Sequence, residues 1–201
     1  MTLGIAARVT PGKVVGIDID RSEIEAAIAK ASHEGLQNVS FQTASCYALP
    51  VEDASFDRAF SNALMEHLAE PVLAMRELNR ILKPGGIVGI SGPDWSGFLL
   101  SPPSPALSRA VTAYTSLQAK NGGDVTVGRK LGLHLSAAGF VCVRMSARYE
   151  CYASLGLIGE YLASQLERDG DQASADVFRT WAQHDGGMFA QAWVSAIATR
   201  P

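Results

Sequence analysis

No stretch of this sequence stays apolar for the ~18 residues that a membrane crossing needs, and a soluble protein is expected. Lys and Arg never gather into a run, and 17 of them against 20 Asp and Glu leave a formal charge of −3. The basic footprint of a nucleic-acid binder is therefore missing, and a small or neutral ligand fits the charge better. The cysteines are Cys46, Cys142 and Cys151, which follow neither a metal-ligand spacing nor an even-numbered disulfide framework. No basic-then-apolar leader precedes the first strand, and a reducing, cytoplasmic setting is the expectation. A P-loop lysine motif, a His-x-x-x-His pair, a GxSxG elbow and a CxxC pair are all lacking, which removes support for phosphoryl transfer, metallohydrolysis and serine hydrolysis. No metal site is expected, and there is no internal repeat.

What is present is 201 residues at 47% hydrophobic, enough for one compact domain over 1–201 and short for two. Lys13–Ile17 is a nearly continuous apolar run after Pro11-Gly12, as in a strand buried on both faces of a parallel sheet. Ile24, Ala27, Ile28 and Ala31 then repeat at helical spacing, with Asp20 and Glu23 as a capping pair. The rhythm recurs with strands at Val39–Thr43 and Phe56–Phe60, an apolar stripe from Leu73 to Leu82 that stops at Lys83-Pro84-Gly85-Gly86, and a strand at Ile87–Ser91. Such alternation predicts a doubly wound α/β fold with a mainly parallel sheet. After Gly92 come Pro102, Pro103 and Pro105, then an apolar helical face through Tyr114, which predicts a helical insertion or lid at about 98–128. A helix over Val127–Ala138, a strand over Phe140–Ser146, helices near Leu155–Leu166 and Ser174–His184, and a last strand around Phe189–Thr199 complete the chain.

Ligands of open α/β sheets bind beyond the carboxyl ends of the strands, which singles out four places. Asp18 closes VVGIDID, where a carboxylate can accept from both hydroxyls of a ribose, and Ile19 can cover one adenine face; helix capping is the competing reading and suits Asp20 better. Ala44-Ser45-Cys46-Tyr47 follows the next strand and can meet the adenine edge, or be a plain turn around a small buried thiol. Asn62 reaches the crevice after Phe56–Phe60, and His67 is the one candidate general base, though a lone histidine also serves packing. Asp94 and Trp95 follow Ile87–Ser91 at the place where an acceptor would enter, with Tyr114 of the insertion adding aromatic surface or belonging to the lid's own core.

Taken in order, PGKVVGIDIDRSEIEAA, ALPVEDASFDRAFSNALMEHL and RELNRILKPGGIVGIS resemble the class I S-adenosylmethionine-dependent methyltransferases, especially the small-molecule branch that includes quinone-biosynthesis enzymes. The likeness runs from Thr2 to Gly92 and continues in NGGDVTVGRKLGLHLSAAGF and AWVSAIATRP, which are similar to the family's closing strands, the last of them antiparallel. The resemblance implies S-adenosylmethionine as cofactor, with Asp18 on its ribose, Ile19, Ser45 and Cys46 around adenine, Asn62 by the methionine part, and a small-molecule acceptor near Asp94, Trp95 and Tyr114. Ser45 stands where relatives carry an acidic residue, so its hydrogen bond to the adenine would be weaker. The family also opens on a central strand and a GxGxG loop, whereas Met1–Val9 already resembles the helix after that loop. A start assigned too late is the favoured explanation, beside a shortened relative and a chain that closes its sheet by unusual pairing or homo-oligomerisation. Lacking that strand, Lys13–Ile17 and Phe56–Phe60 are expected to show open edges. Two other readings stay beside methyl transfer: a non-catalytic relative that does not bind cofactor productively, and a nicotinamide oxidoreductase, which lacks GxGxxG and gives LKPGG no role.

Overall fold

The computed structural model describes all residues from Met1 to Pro201, and they form two compact units, Met1–Ser55 and Phe56–Pro201. In the first, helix α1 (Thr2–Arg8) precedes strand β1 (Val14–Asp18), helix α2 (Arg21–His33) and strand β2 (Val39–Thr43). The two strands pair in parallel, with Val14 opposite Val39 and Asp18 opposite Thr43. A Cβ on Gly16 would come within 2.6 Å of the Phe41 ring, so glycine at this point lets the neighbouring strand's aromatic lie flat across β1. Asn38 joins the pieces by donating from Nδ2 to the carbonyls of Ala6 and Gly12, each at 2.9 Å.

Helix α2 starts where Asp20 accepts from the Ser22 N–H, and it buries Ile24 and Ala31 while Ile28 stays 48% exposed. The buried stripe is thus narrower than the apolar spacing predicts. Only Gly16 of β1 is buried, against the expected strand covered on both faces, because β2 is its one strand neighbour.

The second unit holds strand β3 (Phe56–Asn62), helix α3 (Pro71–Ile81), strand β4 (Leu82–Ser101), helix α4 (Pro105–Lys120), helix α5 (Leu131–Ala137), strand β5 (Val141–Cys151), helices α6 (Leu155–Arg168) and α7 (Gln172–Trp181), and strand β6 (Met188–Thr199). Its sheet has the order β3-β4-β6-β5, with β3 parallel to β4 and β6 antiparallel to both β4 and β5. The antiparallel last strand agrees with the sequence reading, as does the α/β class. Both strands expected to have open edges are edge strands: β1 pairs only with β2, and β3 only with β4.

Where Leu73–Leu82 meets Lys83-Pro84-Gly85-Gly86, Gly85 adopts φ +76, a left-handed backbone that glycine takes without steric cost. Its N–H donates to the Arg200 carbonyl, and the Arg200 N–H donates to Gly86. The turn is thereby closed onto the end of β6.

Two apolar cores flank this sheet. Met75 of α3 and Leu131 and Leu135 of α5 pack on Val88, Ile90 and Ala196. Further along, Leu107 and Tyr114 of α4, Leu162 of α6, and Phe178 and Trp181 of α7 gather around Trp95 and Phe189. On the sheet face opposite α3 and α5, Phe60 and Ile197 remain 48% and 45% exposed.

Strand β4 departs most from expectation. It does not stop at Ser91 but pairs with β6 as far as Ser101 opposite Met188, with one register shift between Asp94 and Phe98. The partner that keeps this proline-bearing segment extended lies about ninety residues later, beyond the reach of local pattern. Likewise the helix predicted over Val127–Ala138 divides into a 3-10 turn at Val127–Lys130 and α5.

Phe178 is fully buried, whereas Leu157 is 77% exposed. Phe178→Ala is expected to destabilise by about 3–5 kcal/mol through lost transfer energy and a cavity, and Leu157→Ala by less than about 0.5 kcal/mol. Urea unfolding followed by circular dichroism measures both, and equal effects would refute the assigned core.

Candidate functional site

The carboxyl ends of β1 and β2 lie side by side, because the Ala44 N–H donates to the Asp18 carbonyl at 2.9 Å. Asp18, Ile19, Ser45 and Cys46 are thereby brought to one edge of the Met1–Ser55 unit. Asp18 is exposed, has no ion-pair partner, and is oriented by the Asp20 N–H, which donates to its Oδ1 at 2.9 Å. Asp20 turns the other way and caps α2, taking both the N–H and the hydroxyl of Ser22. These Ser22 hydrogen bonds hold the Asp20 carboxyl below the ordinary range. The two acidic residues therefore separate as the sequence suggested, one capping and one free. Glu23 does not complete the capping pair, since Asp18 occupies the N–H that it would need.

Ile19 is 75% exposed beside that free carboxylate. Ser45 Oγ accepts from the Tyr47 N–H at 3.2 Å, which fixes the turn and leaves the hydroxyl proton free to be donated outward. Burial raises the Cys46 thiol above its usual range, which favours the neutral form and the packing role over a nucleophilic one.

The Phe56–Pro201 unit carries the remaining candidates. Asn62 ends β3 opposite Ser91, and the chain then turns through Ala63 at φ +48, a left-handed backbone uncommon for a residue with a Cβ. That conformation is secured by the Ala63 N–H donating to the Ser91 carbonyl at 2.8 Å. His67 is about half exposed, with Nε2 3.8 Å from Glu66 Oε1.

Asp94, Trp95 and Tyr114 are not at an open mouth. Asp94 is 3% exposed and accepts from the Arg129 N–H at 3.1 Å, from Arg129 Nε at 3.0 Å and Nη2 at 3.2 Å, and from both Ser96 donors. Burial works to raise its carboxyl, but the Ser96 and Arg129 hydrogen bonds outweigh this and hold it below the ordinary range. Trp95 and Tyr114 are 7% and 2% exposed, their rings 4.6 Å apart within the core of α4, α6 and α7. The long pairing of β4 with β6 carries the segment inward, so the structure places these three residues in the interior of the fold.

Glu66, in the 3-10 turn Met65–His67, is a further candidate that the sequence did not single out. Its side chain is only 6% exposed, its Oε2 has no hydrogen-bond partner, and burial pushes its carboxyl above the ordinary range. A Cβ on Gly92 would sit 3.2 Å from that oxygen. No local pattern marks a glutamate flanked by Met65 and His67 as buried.

A family model described as a methyltransferase domain matches residues 1–90. An uncharacterized 37.1 kDa protein in transposon Tn4556 of Streptomyces fradiae is 33% identical over 137 residues, which cover 68% of this chain and 39% of that protein. The demethylmenaquinone methyltransferase of Lactococcus lactis is 34% identical over 88 residues, 43% of this chain and 35% of the enzyme. A candidate methyltransferase from Bacillus halodurans superposes with a TM-score of 0.69 at 16% identity, covering 94% of this chain and 83% of that one. Residues 1–90 thus carry the methyltransferase domain of that family, and the chain as a whole shares the fold of the solved methyltransferase.

The chain spans roughly two fifths of the transposon protein and a third of the quinone enzyme. The segment matched by the family model contains Asp18, Ser45, Asn62 and Glu66 and ends before Asp94, Trp95 and Tyr114. No helix of the chain is long and apolar enough to cross a membrane.

Asp94→Asn keeps the shape and removes the charge that Arg129 and Ser96 serve, with an expected cost of about 1–3 kcal/mol at neutral pH. Because the folded carboxyl is held below its unfolded value, this stability is present at neutral pH and fades as acid protonates the group. The gap between the two proteins is expected to close below about pH 4. Thermal unfolding across pH measures it, and a gap independent of pH would show that charge plays no part.

Proposed function

We propose that this chain performs S-adenosylmethionine-dependent methyl transfer to a small-molecule acceptor. The observation that carries the reading is the Asp18 carboxylate: exposed, free of any ion pair, and aimed by a backbone N–H at the shared end of two parallel strands. One Asp18 oxygen is engaged by Asp20 and the other is open to ribose hydroxyls, a charge-assisted pairing. Ile19 offers apolar cover to a purine face, and the Ser45 hydroxyl can donate to a ring nitrogen, with the Cys46 backbone beside it. Asn62, whose amide makes no hydrogen bond within the chain, would face the methionine portion.

The residues present fit the cofactor, which when bound supplies an electrophilic methyl on a sulfonium. Such chemistry asks the protein chiefly for alignment and exclusion of water, and the lack of a catalytic triad agrees with that. His67 remains the candidate to take up a proton from the acceptor. The segment around α4, within the insertion expected at 98–128, would supply the acceptor side. Three free cysteines accord with a cytoplasmic protein, and the edge strands β3 and β5 with homo-oligomer formation.

Calorimetric titration with S-adenosylhomocysteine tests the reading. Saturable binding is expected, weakened about tenfold to a hundredfold by Asp18→Ala, as for loss of a charged hydrogen-bond acceptor. Asp20→Ala should instead lower stability by about 1 kcal/mol through the lost cap. An Asp18→Ala protein that binds as tightly as the parent would end the proposal.

A further inference from the structure

In the Phe56–Pro201 unit a hollow of about 210 Å³ opens beside the turn that follows β3, between the end of α4 and the middle of α6. His67, Gln118, Asn121, Tyr161 and Gln165 line it, with the backbone at Gly123. The carboxamides of Gln118, Asn121 and Gln165 make no hydrogen bond inside the chain. Each offers two donors and an acceptor, and none carries a permanent charge.

Behind this wall stands Glu66. A Cβ on Gly123 would come within 2.2 Å of the Glu66 carbonyl, and the Asp124 N–H donates to that carbonyl at 3.0 Å. The Glu66 carboxyl is 6% exposed with Oε2 unpartnered, and the buried Tyr114 phenol lies beside Tyr161.

We propose that this hollow is the acceptor subsite and that it selects a neutral, multiply hydroxylated group such as a sugar ring or cyclic polyol. The inference rests on the methyltransferase reading and moves the acceptor away from Asp94, Trp95 and Tyr114. An apolar ring would leave three carboxamides desolvated and unpaired, a penalty that polar sites use for rejection. An anion or cation would find no fixed opposite charge at the rim, where Lys120 is already paired with Asp169 at 2.8 Å. The size suits a single ring, being below the roughly 300–1,000 Å³ of sites for larger ligands.

Two measurements on the chain separate this inference from the reading beneath it. Calorimetry with S-adenosylhomocysteine comes first, and saturation-transfer NMR then compares methyl α-glucoside and myo-inositol with 1-naphthol, cadaverine and citrate. Saturable binding of a neutral polyol in preference to the other three is expected. Gln165→Leu and Gln118→Leu, with unfolding midpoints unchanged, should each weaken it about fivefold, as for one neutral hydrogen bond. If S-adenosylhomocysteine binds but naphthol or a charged probe is preferred, no polyol binds, or both variants bind polyol as the parent does, the subsite is wrong and the methyltransferase reading stands. If S-adenosylhomocysteine does not bind, the reading fails and the subsite with it.

Discussion

The Phe56–Pro201 unit is organised by the pairing of β4 with β6, which runs from Ile87 opposite Thr199 to Ser101 opposite Met188. One half of this ribbon is covered by α3 and α5, and the other half by α4, α6 and α7. Two cores that share no helix are thus strung on a single pair of strands. The bulge between Asp94 and Phe98 lies where the first core gives way to the second, and the Arg129 clamp on Asp94 sits at that transition. A buried carboxylate is tolerated there because Arg129 and Ser96 together supply five hydrogen bonds to it.

Four buried polar atoms lack a partner, on Ser61, Glu66, His134 and Gln191, and two of them are neighbours in the fold. Asp20, Asp94 and Asp124 each spend their oxygens on nearby donors. Ser61 Oγ and Glu66 Oε2 do not, and both lie on the β3 end or the turn after it. A buried oxygen without a partner costs free energy, and these two stand at the carboxyl end of a strand, where α/β sheets hold ligands.

Much of the fold was legible because helices and parallel strands write their period locally. Asp20 before an apolar helical spacing announced the start of α2, and Lys83-Pro84-Gly85-Gly86 announced the corner after α3. That Asp18, Ile19 and Ser45 come together was legible for the same reason, since it follows from where two short strands end. What stayed hidden depends on partners distant in sequence. Asp94 and Trp95 read as the place where an acceptor enters, because nothing near them reveals that Met188–Thr199 will pair with the strand, while for Tyr114 the sequence left open the lid's own core, where it lies. Glu66 was not singled out because the residues close to it, Gly92 at its carboxyl and Gly123 at its carbonyl, are ones it meets only after folding.

Asp20 serves two neighbours at once: its N–H aims the Asp18 carboxylate while its own carboxylate holds the first turn of α2. The aim of Asp18 is therefore inherited from an intact helix start and not from its own rotamer. Fraying of that first turn would release the carboxylate, and anything that grips the carboxylate would in return slow fraying. By thermodynamic reciprocity, occupancy at Asp18 should be readable as slower hydrogen exchange at the amides of Ser22 and Ile24, both of which donate to Asp20.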